Sequence, residues 1–184
     1  YETYSQQVSD FDVFVFSDHG HIRAEERVDI HKVFRQHGQN LKRFIHLIES
    51  NYARFWFRND EERAIVERTL ATIDVGFILT EAHLHRYHVD MPDNRYGDLV
   101  FYLDAPYLFT KTIWGFSRKQ KSMHGYLPDY PGSDGVFLSQ RPLVEGAHVE
   151  LVDVLPTLLD SLALPIPDYV DGRVLWKKKA KERA

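Results

Sequence analysis

Ser17-Asp18-His19-Gly20 follows directly on the apolar run Phe11-Asp12-Val13-Phe14-Val15-Phe16. A carboxylate oxygen beside an imidazole nitrogen suits a hard-to-borderline cation such as Zn²⁺ or Mn²⁺. Adjacent side chains on a strand point to opposite faces, so Asp18 and His19 could share one ion only where the strand has ended. Gly20 supplies the backbone freedom for that break. Spacing alone leaves two readings open: a pair of metal ligands, or a strand-ending turn with a hydrogen-bonded histidine. A second place is Lys121-Ser122-Met123-His124-Gly125-Tyr126, in a polar loop ahead of Gly135-Val136-Phe137-Leu138. His124 there is a ligand, an acid or a surface side chain.

The elements that must position these groups follow from pattern. Phe11–Phe16 is short, aromatic and β-branched, which predicts a strand buried on both faces, as in a parallel sheet. Val28–Phe34 is a second short strand or an irregular connection. Leu41, Phe44, Ile45 and Ile48 fall at i, i+3, i+4 and i+7, which predicts an amphipathic helix with Asn40 as N-cap. Ala53–Phe57 reads as a strand. A helix then begins at Asn59, with Asp60, Glu61 and Glu62 on the positive end of its dipole and Ile65, Thr69, Leu70 and Ile73 as its buried stripe. Pro92–Arg95 is a turn, Gly97–Leu103 a strand, residues 111–135 a long surface loop, and Val136–Leu138 a short strand. Asp153 is expected to cap a helix running to about Leu164. Strands alternating with helices predict an α/β class, three-layer α/β/α with a mostly parallel central sheet.

Composition excludes several functions. With 184 residues the chain has room for one ordinary domain. Lys and Arg number 23 against 27 Asp and Glu, a net charge of −4. No strong positive field is on offer to a nucleic-acid polymer. No run of about 18 apolar residues occurs, so no membrane segment is expected. There is no cysteine, which excludes disulfides, thiolate metal sites and cysteine nucleophiles.

Taken in order, the Ser17–Gly20 segment, the His124-Gly125-Tyr126 loop before its Val136-Phe137 strand, and Val152-Asp153-Val154-Leu155-Pro156-Thr157-Leu158-Leu159 closing on Asp171-Gly172-Arg173-Val174-Leu175 resemble the alkaline phosphatase superfamily, in particular its nucleotide pyrophosphatase/phosphodiesterase-like members. The resemblance spans residues 11–175. It implies a hydrolase of phosphoric esters with two divalent metal ions, zinc or alternatively manganese. Asp18 and His19 would bind the metal that activates the nucleophile, and His124 the second. Two dications roughly 4 Å apart clamp the attacking and departing oxygens of an in-line displacement.

The family pattern also needs an acidic ligand, a Thr or Ser nucleophile and an Asp/His pair ahead of the Ser17–Gly20 segment. Only ten residues precede Phe11, and Thr3, Ser5 and Ser9 lack the surrounding motif, so no nucleophile is assigned. Residues 1–176 are therefore expected to be the C-terminal part of such a domain, inactive alone, and residues 177–184 a basic tail. The partner is a small phosphate-ester substrate, and an uncovered Phe11–Phe16 strand predicts self-association into a homo-oligomer. A sulfatase, a phosphonate hydrolase, a cofactor-independent phosphoglycerate mutase or a non-catalytic α/β interaction module are the alternatives. His21 reads as solvent-exposed, His83, His85 and His88 as a polar face rather than a metal box, and Tyr96-Gly97-Asp98 as a chain reversal.

Overall fold

The computed structural model describes residues 11–116, 120–144, 146 and 148–176. In chain order the strands are β1 (Phe14–Phe16), β2 (Ile22–Arg23), β3 (Glu26–Val28), β4 (Ile45–Ile48), β5 (Tyr52–Trp56), β6 (Gly76–Ile78), β7 (Leu99–Leu103), β8 (Tyr107–Phe109), β9 (Lys111–Thr112), β10 (Gly115–Phe116), β11 (Ser122–Met123) and β12 (Phe137–Ser139). The helices are α1 (Ile30–Gln36), α2 (Asp60–Leu70), α3 (Glu81–Arg86) and α4 (Val154–Ser161). The chain divides into two compact units, the first formed by residues up to His19 together with those from Gly135 onward, the second by Gly20–Asp134.

The second unit is built on a four-stranded sheet in the order β4-β5-β7-β6. Every pairing in it is antiparallel. The expected mostly parallel central sheet is thus corrected. Among the described residues the one parallel ladder is β3 against β8. The α/β class stands, but no parallel sheet with helices on both faces is formed among the described residues. The reason lies in the connections. Only Glu49–Asn51 separate β4 from β5, and a link that short can join antiparallel neighbours alone.

The same turn explains the second correction. Residues 41–48 are not one amphipathic helix: Leu41–Arg43 make a single 3₁₀ turn, and Ile45–Ile48 are strand β4. Asn40 does cap, accepting from the Lys42 N–H at 3.1 Å. A four-position match over eight residues fits a helix face, but the aromatic and β-branched content of Phe44–Ile48 fits a strand equally. Pairing with β5 decides it, and Ile45 ends up exposed. Of Val28–Phe34, expected to be a short strand or irregular, Val28 ends β3, whereas Ile30–Phe34 belong to helix α1, capped by Asp29.

Helix α2 forms as its sequence requires. Asn59 Oδ1 accepts from the Glu62 N–H at 2.9 Å, which satisfies one orphan donor of the first turn, and the Glu62 carboxylate reaches back past the cap to accept from the Arg58 N–H at 3.1 Å. Its buried face, Val66, Thr69 and Leu70, packs with Ile73 into an aromatic core of Phe34, Phe55, Phe101 and Phe109. The stacked Phe34 and Phe55 rings lie 6.2 Å apart.

In the first unit, β1 pairs antiparallel with β12 (Phe14 opposite Ser139, Phe16 opposite Phe137). The strand is not buried on both faces: Val15 is 52% and Phe16 46% exposed. Arg141 grips Asp12 at 2.6 Å and lies over the Trp176 ring. Helix α4 ends at Ser161, short of Leu164. No helix among the described residues is long and apolar enough to cross a membrane. Thr3, Ser5 and Ser9, which are assigned no role, and the basic tail at 177–184 lie outside the described residues.

Replacing the buried Phe55 with Ala removes the centre of the aromatic core and should lower unfolding stability in urea by about 3–5 kcal/mol. Phe16→Ala, at an exposed position, should cost less than about 1 kcal/mol.

Candidate functional site

The Ser17–Gly20 segment leaves β1 under close backbone control. The Ser17 N–H donates to Val136 O at 3.0 Å, and Ser17 Oγ accepts from the Val136 N–H at 3.0 Å. Ser17 is thereby stitched to the chain just before β12, and the strand ends there. Asp18 and His19 then turn toward each other. Asp18 Oδ1 accepts from the His19 N–H at 3.0 Å, which sets the carboxylate plane, and Oδ2 faces His19 Nε2 at 3.1 Å. Two tetrahedral ligands about 2.0–2.2 Å from one zinc ion stand roughly 3.3–3.6 Å apart, so the two side chains, in contact at 3.1 Å, would have to part slightly to admit an ion. The Asp18 side chain is 71% exposed, so the pair is open to an entering ion.

Gly20 has a different job from the one expected of it. Its backbone is not left-handed; the constraint is proximity, because a Cβ there would run into the carbonyl oxygens of Gly132 and Asp134. The Gly20 N–H donates to Ser133 O at 2.8 Å.

His124 belongs to the second unit. Strand β11 pairs antiparallel with β2, Ser122 opposite Arg23 and Met123 opposite Ile22. One step further along that register, His124 comes opposite His21, and their ring centroids stand 5.2 Å apart, edge to face. His21 is exposed, as its sequence context predicts. Its neighbour could not be read from the sequence, because the strands that bring the two rings together are two residues long. Next to His124, Gly125 adopts φ +82°, and Tyr126 is buried with its hydroxyl donating to Tyr107 O at 2.9 Å. Asp18 and His19 therefore lie in one unit and His124 in the other. No group of three or more His, Asp or Glu side chains among the described residues is placed to hold a metal ion.

The remaining motif is architectural. Asp153 does not cap α4 through its side chain. It is buried, and its carboxylate accepts from the Glu150 N–H at 3.0 Å and the Arg173 N–H at 2.9 Å. Thr157, fully buried, donates to Arg173 O at 3.4 Å and accepts from the Leu175 N–H at 3.2 Å. Gly172 passes so close to Val152 O that no side chain fits. Asp153, Thr157 and Gly172 thus clip the Asp171–Leu175 segment onto α4. Two of the three clustered histidines also have structural roles: His83 Nδ1 accepts from the Thr80 N–H in the cap of α3, and His85 sits 3.4 Å from Asp90. Gly97, at φ +116°, turns the chain, and Asp98 accepts from the Phe57 N–H at 2.8 Å.

Structural comparison finds the human ectonucleotide pyrophosphatase/phosphodiesterase 5 at a TM-score of 0.64 and 14% identity, covering 85% of this chain and 42% of that one. The fold of this chain is similar to that of part of the human protein. The murine ectonucleotide pyrophosphatase/phosphodiesterase 5 matches at a TM-score of 0.53 and 14% identity, over 72% of this chain and 34% of that one. The chain spans less than half the length of either. No family model and no curated protein matches the sequence.

The structural roles of Asp153 and Tyr126 each have a measurable consequence. Asp153→Ala removes the buried acceptor of two part-buried N–H donors at once and should cost about 1–3 kcal/mol in chemical denaturation. Burial pushes the Tyr126 phenol up from 10.0 to about 12. The unfolded chain releases this proton first, so the stability Tyr126 contributes is whole below pH 10 and is lost as pH rises from 10 to about 12. Alkaline titration followed by phenolate absorbance should show one late-ionising group fewer in Tyr126→Phe.

Proposed function

We propose that this chain supplies metal-binding residues to a hydrolase of phosphoric esters, acting on phosphodiester or nucleotide pyrophosphate-like substrates. Asp18 and His19 would hold one divalent ion and His124 a second, zinc or alternatively manganese. The observation that carries this reading is the Asp18–His19 pair: two donors of the right chemistry, 3.1 Å apart at the end of a strand. The fold likeness supports it.

When bound, such ions polarise phosphoryl oxygens and lower the pKa of a hydroxyl. The chain's own residues do the positioning. The Ser17–Val136 hydrogen bonds end the strand, and the His19 N–H then orients the Asp18 carboxylate. His19 Nε2 stands 3.1 Å from the Asp18 carboxylate. The nucleophile and the remaining ligands are not assigned to residues of this chain, and its activity is proposed as part of a complete site.

Metal content and turnover of a chromogenic phosphodiester and phosphomonoester, with zinc or manganese, test the reading. Asp18→Ala and His19→Ala should each lower metal affinity about 100-fold or more, since even outer-shell partners are worth 10- to 100-fold. In a protein that carries the complete site, His124→Ala should lower metal content and turnover, whereas His85→Ala should leave both unchanged. Equal losses from His124→Ala and His85→Ala, or metal retention in Asp18→Ala, would overturn it.

A further inference from the structure

Between α1, β4 and the β9–β10 hairpin of the second unit, a cavity of about 220 Å³ gathers His31, His46 and Lys111 on its wall. Sites for drug-sized ligands run to roughly 300–1,000 Å³, so this one takes a small guest. The core sets all three residues in place. Buried Ile30 and Phe34 anchor α1, and His31 flanks Ile30. His46 stands opposite Phe55 in the ladder of β4 with β5. Lys111 opens β9, and the Ile113 N–H of the same hairpin donates to Ile48 O at 2.9 Å, which ties the hairpin to β4. The His31 and His46 rings come to lie 6.3 Å apart, edge to face.

Their nitrogens can be reached. His46 Nδ1 lies 2.8 Å from Phe44 O. A carbonyl only accepts, so Nδ1 carries the first proton and a second can go only to Nε2. Neither Nε2 of His46 nor the ring nitrogens of His31 are among the unpartnered atoms sealed from solvent. Lys111 is exposed.

Two imidazoles by themselves suit a zinc ion or an anion. Lys111 separates the two, because a dication entering the cavity meets a like charge and an anion an opposite one. The charged and titratable groups that act on His31 are Lys111 from β9, His46 from β4, Arg35 of its own helix and Asp29 at the helix cap. Asp29 is the one carboxylate among them, and its side chain accepts from the Lys32 N–H at 3.0 Å. Burial first, then Lys111, holds the His31 imidazole below its ordinary value of 6.5. A neighbouring anion acts in the opposite sense and favours the imidazolium.

We propose that this cavity binds a small oxyanion of the sulfate or phosphate class, which Lys111 attracts and the protonated rings of His31 and His46 hold by N–H donation. Protonation turns each accepting ring nitrogen into a donor, so proton and anion enter together and occupancy rises as pH falls. The inference uses none of the residues of the hydrolase reading and stands apart from it.

Calorimetry of the whole chain with sodium sulfate at fixed ionic strength tests it, because sulfate keeps its double charge through the range in which histidine titrates. Saturable binding is expected, about tenfold tighter at about pH 5.5 than at about pH 7.5. Sulfate should also raise the His31 titration midpoint, followed by NMR of the ring C–H. Lys111→Gln, at an exposed position, should weaken binding roughly fivefold at both pH values. Joint His31→Gln and His46→Gln replacement should remove the pH dependence, and His85→Gln should leave it unchanged. Inorganic phosphate should compete with sulfate. Absence of saturable sulfate binding, an unmoved His31 midpoint, indifference to Lys111→Gln, or zinc held by His31 and His46 in place of the anion would overturn the proposal.

Discussion

Burial of the Phe55 side chain in the middle of β5 is the constraint on which the larger unit depends. β5 is hydrogen-bonded on both sides, to β4 and to β7, and its residues alternate between the core and the other face of the sheet. Ala53 and Phe55 point inward at zero exposure, against Phe34 from α1 and within the same core as Val66 and Leu70 from α2. A one-residue slip of β5 would turn both out of the core and expose a large aromatic surface, so the register is strongly held. The turn at Glu49–Asn51 inherits its position from that register. His46, opposite Phe55 in the same ladder, is carried with it to the wall of a cavity.

The same sheet sets the stage for His124. β7 runs into β8, and β8 pairs with β3, which follows β2 by two residues. With β2 anchored in this way, β11 can pair with it, and His124 is carried opposite His21. A histidine in a Gly- and Ser-rich loop acquires a definite neighbour through two backbone ladders, not through any local preference of its own segment.

The three segments that carried the family resemblance have different physical purposes. Ser17–Gly20 presents donors: Asp18 and His19 are adjacent, turned toward each other and open to an ion. His124-Gly125-Tyr126 mixes purposes, with a half-buried histidine next to a tyrosine locked to Tyr107 O. Val152–Leu159 with Asp171–Leu175 is a clip, in which Asp153 and Thr157 satisfy backbone groups of the returning chain and Gly172 leaves room for it. Recurrence of a motif in a fold therefore marks either chemistry or packing. The exposure of Asp18 against the burial of Asp153 separates the two.

Much of the local structure was legible in the residues themselves. The cap and first turn of α2, the strand at Tyr52–Trp56, the strand at Leu99–Leu103 and the reversal at Pro92–Gly97 are local events, decided by capping side chains, β-branched and aromatic runs, the fixed φ of proline and the backbone latitude of glycine. The donor pair Asp18–His19 was legible for the same reason, since adjacent residues need only a strand end to face each other. Leu41–Ile48 was not, because eight residues satisfy both a helical and an extended pattern and only pairing with β5 chose between them. Sheet direction was equally hidden: apolar runs show that a strand is wanted but not which partner it will take, and the three-residue link at Glu49–Asn51 made the pairing antiparallel. The sequence by itself determined where chain reversals fall and that Asp18 and His19 stand side by side at a strand end. The tertiary structure alone decided that His124 meets His21 and that His31, His46 and Lys111 line one cavity, because contacts between residues tens of positions apart are set by strand register and core packing, and neither is written in any local window.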